Sequence, residues 1–411
     1  MNPHHLCVVT ETYFPEVNGV AISLQRLLQS LNPNVFRVSM VRTRPKPKNS
    51  GASAQAKTDA TFTSSNPSSQ VGGLKSGELQ VRGIRVPQYP DVQLGLPAGS
   101  ALQRAWESDR PALVYVATEG PLGASAVAMA RKMNIPVISA FHTNFHRYSG
   151  YYGVGWIQSL VMAWMRRFHN RTALTLVPSR TLVQELTSAG LQRVEWLPHG
   201  VDCEHFHPAR RSVRLREAWG IQGREVVALM VGRLAAEKNL VTALSAVESA
   251  RRAGHRIRSV VVGDGPMRAA LERQFPEAIF CGEQTGTALA EHYASADVFL
   301  MPSQTETFGL VTLEAMASGL PVVAYDLAAA GEFVRPGVDG MLATDLSEQA
   351  FSDALCGLLS LEPTFMGLDA RAQAEQLSWP SVARQFERRT LALLANQYDC
   401  QQVVQPLQNP L

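Results

Sequence analysis

The sequence predicts two doubly wound, Rossmann-like α/β domains facing a cleft. Three observations carry this prediction. The chain has 411 residues, long enough for two cores. Short apolar, β-branched runs alternate with helical periodicity in both halves. A stretch rich in structure breakers, Leu197-Pro-His-Gly-Val-Asp-Cys-Glu-His-Phe-His-Pro208, separates the two series.

In the first half the strand runs are 6–10, 36–41, 113–117, 137–141 and 174–178. In the second they are 226–231, 259–263, 279–281, 298–301 and 321–325. Helical patterns such as 21–31 and 240–253 lie between them. Strand–helix alternation implies parallel sheets covered on both faces, with ligands beyond the carboxyl ends of the strands. The predicted division is 1–205, then 206–378, then a helix over 379–398 packing back across the first domain, then a tail over 399–411. Residues 43–80 read as a flexible low-complexity loop.

Composition narrows the function classes. Apolar residues make up 45% of the chain, enough for sizeable cores, while aromatics at 7% give little support for nucleic-acid stacking platforms. The five cysteines are scattered with no CxxC or Cys/His metal spacing, which predicts a reduced cytoplasmic setting and no metal site. The first ten residues lack the pattern of a signal peptide, and no apolar run is long enough to span a bilayer. Residues 1–205 hold 20 Lys+Arg against 12 Asp+Glu, and residues 206–411 hold 18 against 23. A net of +8 in the first half points to an anionic surface or partner; chance placement of a few arginines gives the same number.

The most informative stretch is Glu306-Thr-Phe-Gly-Leu-Val-Thr-Leu-Glu314. A buried-strand run precedes it and a helical run, 310–317, begins inside it. Two acids therefore flank a helix N-terminus, whose free N–H groups and dipole favour an anion. Such an arrangement suits a sugar nucleotide, with hydroxyls on either side of a diphosphate. An acid–base pair of the glycoside hydrolase kind is the other reading of two such acids.

Val231-Gly-Arg-Leu-Ala-Ala-Glu-Lys-Asn239 places Gly232, Arg233 and Lys238 on a loop after a strand. Two fixed cations stabilise a departing diphosphate without a metal, and the chain has no Asp-x-Asp triplet to hold one. Ordinary surface cations fit the same residues. Val262-Gly-Asp-Gly-Pro266 puts Gly263 at a turn where backbone can approach a ligand, or simply turn tightly. Gly19 opens a helix after the first strand and reads the same two ways. His142 stands at a strand end, as a ligand contact or a hydrogen-bonded structural histidine. In Trp156–Arg171, an apolar stripe (Ile157, Leu160, Val161, Trp164, Met165, Phe168) runs into Arg166, Arg167, His169 and Arg171. It fits a core-facing helix or an interfacial helix on anionic lipid.

Six of these elements in order are specific. Gly19 in Asn-Gly-Val, His142, His-Gly-Val-Asp202 with Phe206 and Pro208, Gly-Arg-Leu-x-x-Glu-Lys-Asn, Gly-Asp-Gly-Pro and Glu-x7-Glu span most of the chain. In them the chain resembles retaining glycosyltransferases of family 4, with the two-domain GT-B architecture. Tyr13-Phe-Pro-Glu-Val-Asn-Gly-Val20 and the segment after Phe141 carry a finer resemblance to bacterial GDP-mannose-dependent mannosyltransferases and membrane-glycolipid glycosyltransferases.

The resemblance implies roles. Arg233 and Lys238 would neutralise the leaving diphosphate, Glu306 would hold donor-sugar hydroxyls and Glu314 the ribose. The backbone of Phe308, Gly309, Leu310 and Val311 would hold phosphate and sugar. Gly19 would approach the diphosphate and His142 would place the sugar. The implied chemistry is front-face transfer with no cofactor and no metal. The expected substrates are a sugar nucleotide, GDP-mannose first, and a lipid or glycolipid acceptor. A UDP-glucose- or UDP-glucuronate-dependent diacylglycerol glycosyltransferase is the alternative, and a non-catalytic sugar-nucleotide-binding protein the alternative of another class. A dehydrogenase lacks its Gly-x-Gly-x-x-Gly fingerprint here. The expected setting is cytoplasmic, peripheral on the inner membrane face through Trp156–Arg171, with no nucleic-acid partner.

Overall fold

The computed structural model describes all residues except 1, 15, 17, 45–76, 87–88, 142–154, 307, 362 and 404–411. The chain forms two compact units. One comprises the chain up to His199 together with Trp379 onward, and the other Gly200–Ser378. The division falls at 199/200 rather than 205/206, so Gly200–His205 belong with the second unit. Val201 explains this locally: it bridges to Ser378, and its N–H donates to the Leu377 carbonyl at 2.9 Å.

The first unit is built on β1 (His4–Thr10), β2 (Phe36–Thr43), β3 (Glu78–Val81), β6 (Leu113–Val116), β7 (Val137–Ala140), β8 (Leu174–Val177) and β9 (Val194–Trp196). They form one sheet in the order β3-β2-β1-β6-β7-β8-β9, parallel throughout. β4 (Gly83–Val86) and β5 (Tyr89–Gly95) make a separate antiparallel hairpin. Every residue of β6, β7 and β8 is buried, which is why these strands read as continuous apolar runs rather than alternating ones. The sequence direction reverses between β1 and β6.

The second unit has β10 (Val226–Val231), β11 (Ile257–Val262), β12 (Ile279–Phe280), β13 (Val298–Met301), β14 (Val322–Tyr325) and β15 (Gly340–Ala343). Their order is β12-β11-β10-β13-β14-β15, again parallel, with the reversal between β10 and β13. Its core gathers Met230, Leu244, Val247, Val261, Leu300, Phe351 and Leu355 around the sheet. Each fully buried side chain of this kind contributes about 1.5–3 kcal/mol.

Three expectations from sequence are corrected. The loop expected over 43–80 begins and ends in strand: Thr43 closes β2, and residues 78–80 lie in β3. β3 is an edge strand with one buried residue, Val81, so it lacks an apolar run. The last helix runs Trp379–Val403, into the segment expected as a tail. It packs on the first unit's core through Trp379, Val382, Ala383, Phe386 and Leu394, with Phe386 edge-on to Tyr115 at 5.2 Å. His169 is fully buried, so it is no part of a basic surface; its Nδ1 meets Ser139 Oγ at 2.9 Å.

The helix Gly155–His169 divides the stripe read from sequence. Met165 and Phe168 are buried, whereas Leu160 is 61% and Trp164 45% exposed. Trp164 Nε1 donates to the Glu119 carbonyl at 3.3 Å, and Arg166, Arg167 and Arg171 are exposed beside it. The side chains of Trp156 and Ile157 are outside the described residues.

One half-buried cation fastens the second unit. Arg371 Nη1 donates to the carbonyls of Cys203 at 3.0 Å, Phe206 at 2.8 Å and Ala317 at 2.5 Å. It thus joins the entry segment to the carboxyl end of the helix Leu310–Ala317, where a cation also suits the helix dipole. Arg371→Ala should cost about 2–3 kcal/mol in denaturant unfolding, because three carbonyls lose a charged donor. A loss under about 0.5 kcal/mol, the scale of an ordinary surface change, would show the contact to be dispensable.

Candidate active site

The site expected around Glu306 lies where β10 and β13 end, at the reversal point of the second sheet. Crossover connections in a parallel sheet bring the following loops to this one edge. After β10 come Gly232 and Arg233, then a single 3-10 turn over Ala236–Lys238. Asn239 closes that turn in the left-handed region at φ 49°, a conformation that asparagine tolerates better than most residues. Asn239 also ties the two loops together. Its Nδ2 donates to the Pro302 carbonyl at 3.4 Å, and its Oδ1 accepts from Thr242 Oγ1 at 3.1 Å. Ser303 Oγ adds a bond to the Glu237 carbonyl at 3.3 Å.

These ties bring Lys238 and Glu306 into direct contact. Lys238 Nζ donates to Glu306 Oε1 as an ion pair, with the lysine side chain 30% and the glutamate 16% exposed. Arg233, on the same loop as Lys238, is exposed and makes no ion pair among the described residues.

The helix Leu310–Ala317 starts just past Glu306. Gly309 precedes it at φ 85°, a left-handed conformation that glycine adopts without steric cost, and no side chain caps the helix start. The N–H groups of Leu310 and Val311 therefore have no partner within the helix. Phe308 is committed elsewhere. Its ring is buried near Phe333, and its carbonyl accepts from the Ala329 N–H at 2.8 Å.

Gly263 and Gly232 meet for a packing reason. A Cβ on Gly263, at φ 137°, would sit 1.9 Å from the Gly232 carbonyl oxygen. The Gly263 N–H donates to the Gly282 carbonyl at 2.8 Å, and the Gly232 N–H to the Val262 carbonyl at 3.0 Å. Loop-to-loop contact thus accounts for glycine at 263. Gly19 differs. It is the first residue of the helix Gly19–Gln29, capped by Asn18, and a Cβ there would meet nothing within 4 Å. Nothing in the first unit itself calls for glycine at that position. His142 lies outside the described residues.

Glu314 stands one turn into the helix, partly exposed. The Tyr293 hydroxyl donates to its Oε2 at 2.9 Å. Burial pushes the Glu314 carboxyl up to about 7, against the downward pull of that hydrogen bond. Burial also holds the Tyr293 phenol well above its ordinary value, so it remains a donor at neutral pH. Tyr293, Ser303 and Arg371 were not singled out from the sequence, and Asn239 appeared there only as the last residue of its motif. The left-handed Asn239 before a helical run was the one readable signal; the rest act through contacts distant in sequence.

A lysine–carboxylate pair and an uncapped helix start at the reversal of a parallel α/β sheet make a candidate anion-binding site. Comparison with known proteins agrees. The family described as "Glycosyltransferase Family 4" matches residues 17–205, and "Glycosyl transferases group 1" matches 225–361. The chain is 31% identical over 388 residues to a GDP-mannose-dependent alpha-mannosyltransferase of Mycobacterium tuberculosis, covering 92% of this chain and 93% of that one. It is 32% identical to the protein of that name from Mycolicibacterium smegmatis, covering 92% and 94%. It is 29% identical to the alpha-monoglucosyldiacylglycerol synthase of Streptococcus pneumoniae, covering 77% and 70%. Among solved structures, Anabaena HepE in complex with UDP shares the fold at a TM-score of 0.68 and 17% identity, covering 94% of this chain and 99% of that one. The chain belongs to glycosyltransferase family 4, with the GT-B fold, and is a glycosyltransferase.

The Glu314 shift sets a pH dependence. Its folded value lies above the ordinary 4.5, so folding favours the neutral acid. The stability this contributes is full below about 4.5 and is lost as pH rises through about 7. Relative to Glu314→Gln, the wild-type protein should lose about 2–3 kcal/mol between pH 4.5 and 8 in denaturant unfolding. Parallel stability curves for the two proteins would contradict the shift.

Proposed function

We propose that the protein is a retaining, metal-independent hexosyltransferase that moves mannose from GDP-mannose onto a lipid or lipid-linked acceptor at a membrane surface. The observation that carries the proposal is the convergence of Lys238, Glu306 and the uncapped start of the helix Leu310–Ala317 at one sheet reversal. The names of the relatives supply the sugar and the kind of acceptor.

In this reading the diphosphate lies against the N–H groups of Leu310 and Val311. Arg233 and Lys238 complete its neutralisation. As the bond from sugar C1 to phosphate oxygen breaks, charge accumulates on that oxygen. Fixed cations and oriented N–H groups stabilise this charge more than they stabilise the bound donor, which is what lowers a barrier. The acceptor hydroxyl attacks C1 from the same face and passes its proton to the departing phosphate, so configuration is retained. Glu306 holds donor-sugar hydroxyls and Glu314 the ribose. Gly19 and His142 take their roles from the family resemblance: backbone approach to the diphosphate and placement of the sugar.

A UDP-glucose-dependent glycolipid synthase is the second reading, favoured by the Streptococcus pneumoniae relative. A donor panel separates the two. The protein should transfer hexose from GDP-mannose in the presence of EDTA and lose at least about a hundredfold in rate as Lys238→Ala or Glu306→Ala, the scale of a lost electrostatic contact. Turnover with UDP-sugars alone refutes the mannose assignment, and full activity in both variants refutes the site.

Leu160 and Trp164, exposed beside Arg166, Arg167 and Arg171, fit an interfacial helix on anionic lipid. No described helix is long and apolar enough to cross a membrane. The protein should co-sediment with anionic vesicles at low salt. Leu160→Ser combined with Trp164→Ser should release it. Equal sedimentation with neutral vesicles, or none with anionic ones, contradicts this surface.

A further inference from the structure

We infer that Glu306 competes with the nucleoside diphosphate for Lys238, so that donor enters by an exchange of partners and the spent diphosphate is expelled as the ion pair re-forms. This rests on the proposal that the site takes a sugar nucleotide, and it gives Glu306 a task beyond holding sugar hydroxyls.

The starting point is the Lys238–Glu306 ion pair itself. The two residues lie on different loops, 68 positions apart. Both loop backbones are restrained close to them. The Lys238 N–H donates to the Ala235 carbonyl at 3.0 Å, and Asn239 follows in its left-handed turn. Pro302 and Ser303, just before Glu306, are tied to Asn239 and Glu237. The pair is therefore held by the architecture of the two loops, and both partners stay partly open to water and to ligand.

An occupied lysine is not available to a phosphate. A ligand that binds only the fraction of protein with a free lysine shows an affinity reduced by that fraction. The consequence differs for donor and product. A sugar nucleotide offers each partner a replacement: phosphate for Lys238, hydroxyls for Glu306. A nucleoside diphosphate replaces the partner of Lys238 only. Glu306 is then left as an unpaired carboxylate beside a phosphate of the same sign, at a site where 16% of its side chain is exposed. The pair thus penalises the product more than the donor. When the sugar has left, Glu306 reclaims Lys238 and loosens the diphosphate. Arg233, without an ion pair among the described residues, carries no such penalty and can hold phosphate in both states.

Calorimetric titration of GDP and of UDP into the full-length protein tests this, using wild type, Glu306→Gln, Lys238→Met and the double variant. Glutamine keeps the shape and hydrogen-bonding reach of Glu306 but removes its charge. Glu306→Gln should bind the preferred nucleotide about tenfold more tightly than wild type, about 1.4 kcal/mol, although its transfer rate falls. The gain should vanish on the Lys238→Met background. Unchanged or weaker binding by Glu306→Gln overturns the exchange. A gain that persists without Lys238 also overturns it, because the effect would then be general charge removal. Failure of both nucleotides to bind wild type would instead remove the sugar-nucleotide reading on which the exchange depends.

Discussion

Every crossover in a parallel sheet returns the chain to the same end of the next strand, so the loops that follow the strands share one edge. The second unit obeys this constraint throughout its six strands, and its chemistry follows from it. At the reversal between β10 and β13 two loops with different contents face each other. One brings Arg233 and Lys238; the other brings Glu306 and the glycine that launches the helix Leu310–Ala317. The left-handed Gly309 matters because it lets the chain turn into the helix without a side-chain cap. Among the described residues the helix start is left with N–H groups that have no acceptor.

Both ends of that helix are under electrostatic control. Arg371 meets its carboxyl end at the Ala317 carbonyl, and no side chain caps the amino end, whose dipole favours an anion. Glu314, between the two, is held by Tyr293 from the neighbouring helix Gly286–Ser295. The carboxylates at 306 and 314 therefore sit in unlike surroundings: one paired to a lysine, the other raised by burial.

Much of this was legible in the sequence because the relevant signals are local. Fully buried strands such as β8 and β13 appear as apolar runs, and a glycine followed by Leu310–Ala317 announces a helix start. Of the four edge strands of the two parallel sheets only β12 was legible. β9, Val194-Glu-Trp196, is never fully buried, and β15 opens with a glycine, so neither carries an apolar run. Long-range partners were also hidden. That Lys238 meets Glu306, that Tyr293 meets Glu314, and that Gly263 is required by Gly232 are facts of packing between segments 20 or more positions apart. The stripe on Gly155–His169 was read as a single face, but its residues fall on two sides. Met165 enters a small core with Val177 and Leu182, and Phe168 the core that holds Val114 and Ile135, leaving Leu160 and Trp164 outward.

The central claim is that a phosphate completes the open helix start between the two loops. A crystal structure of the protein with bound GDP tests it most directly. The β-phosphate should lie within about 3.2 Å of the Leu310 and Val311 amide nitrogens, with Lys238 turned from Glu306 onto a phosphate oxygen. A diphosphate bound away from that helix start, with the Lys238–Glu306 pair intact, would contradict it.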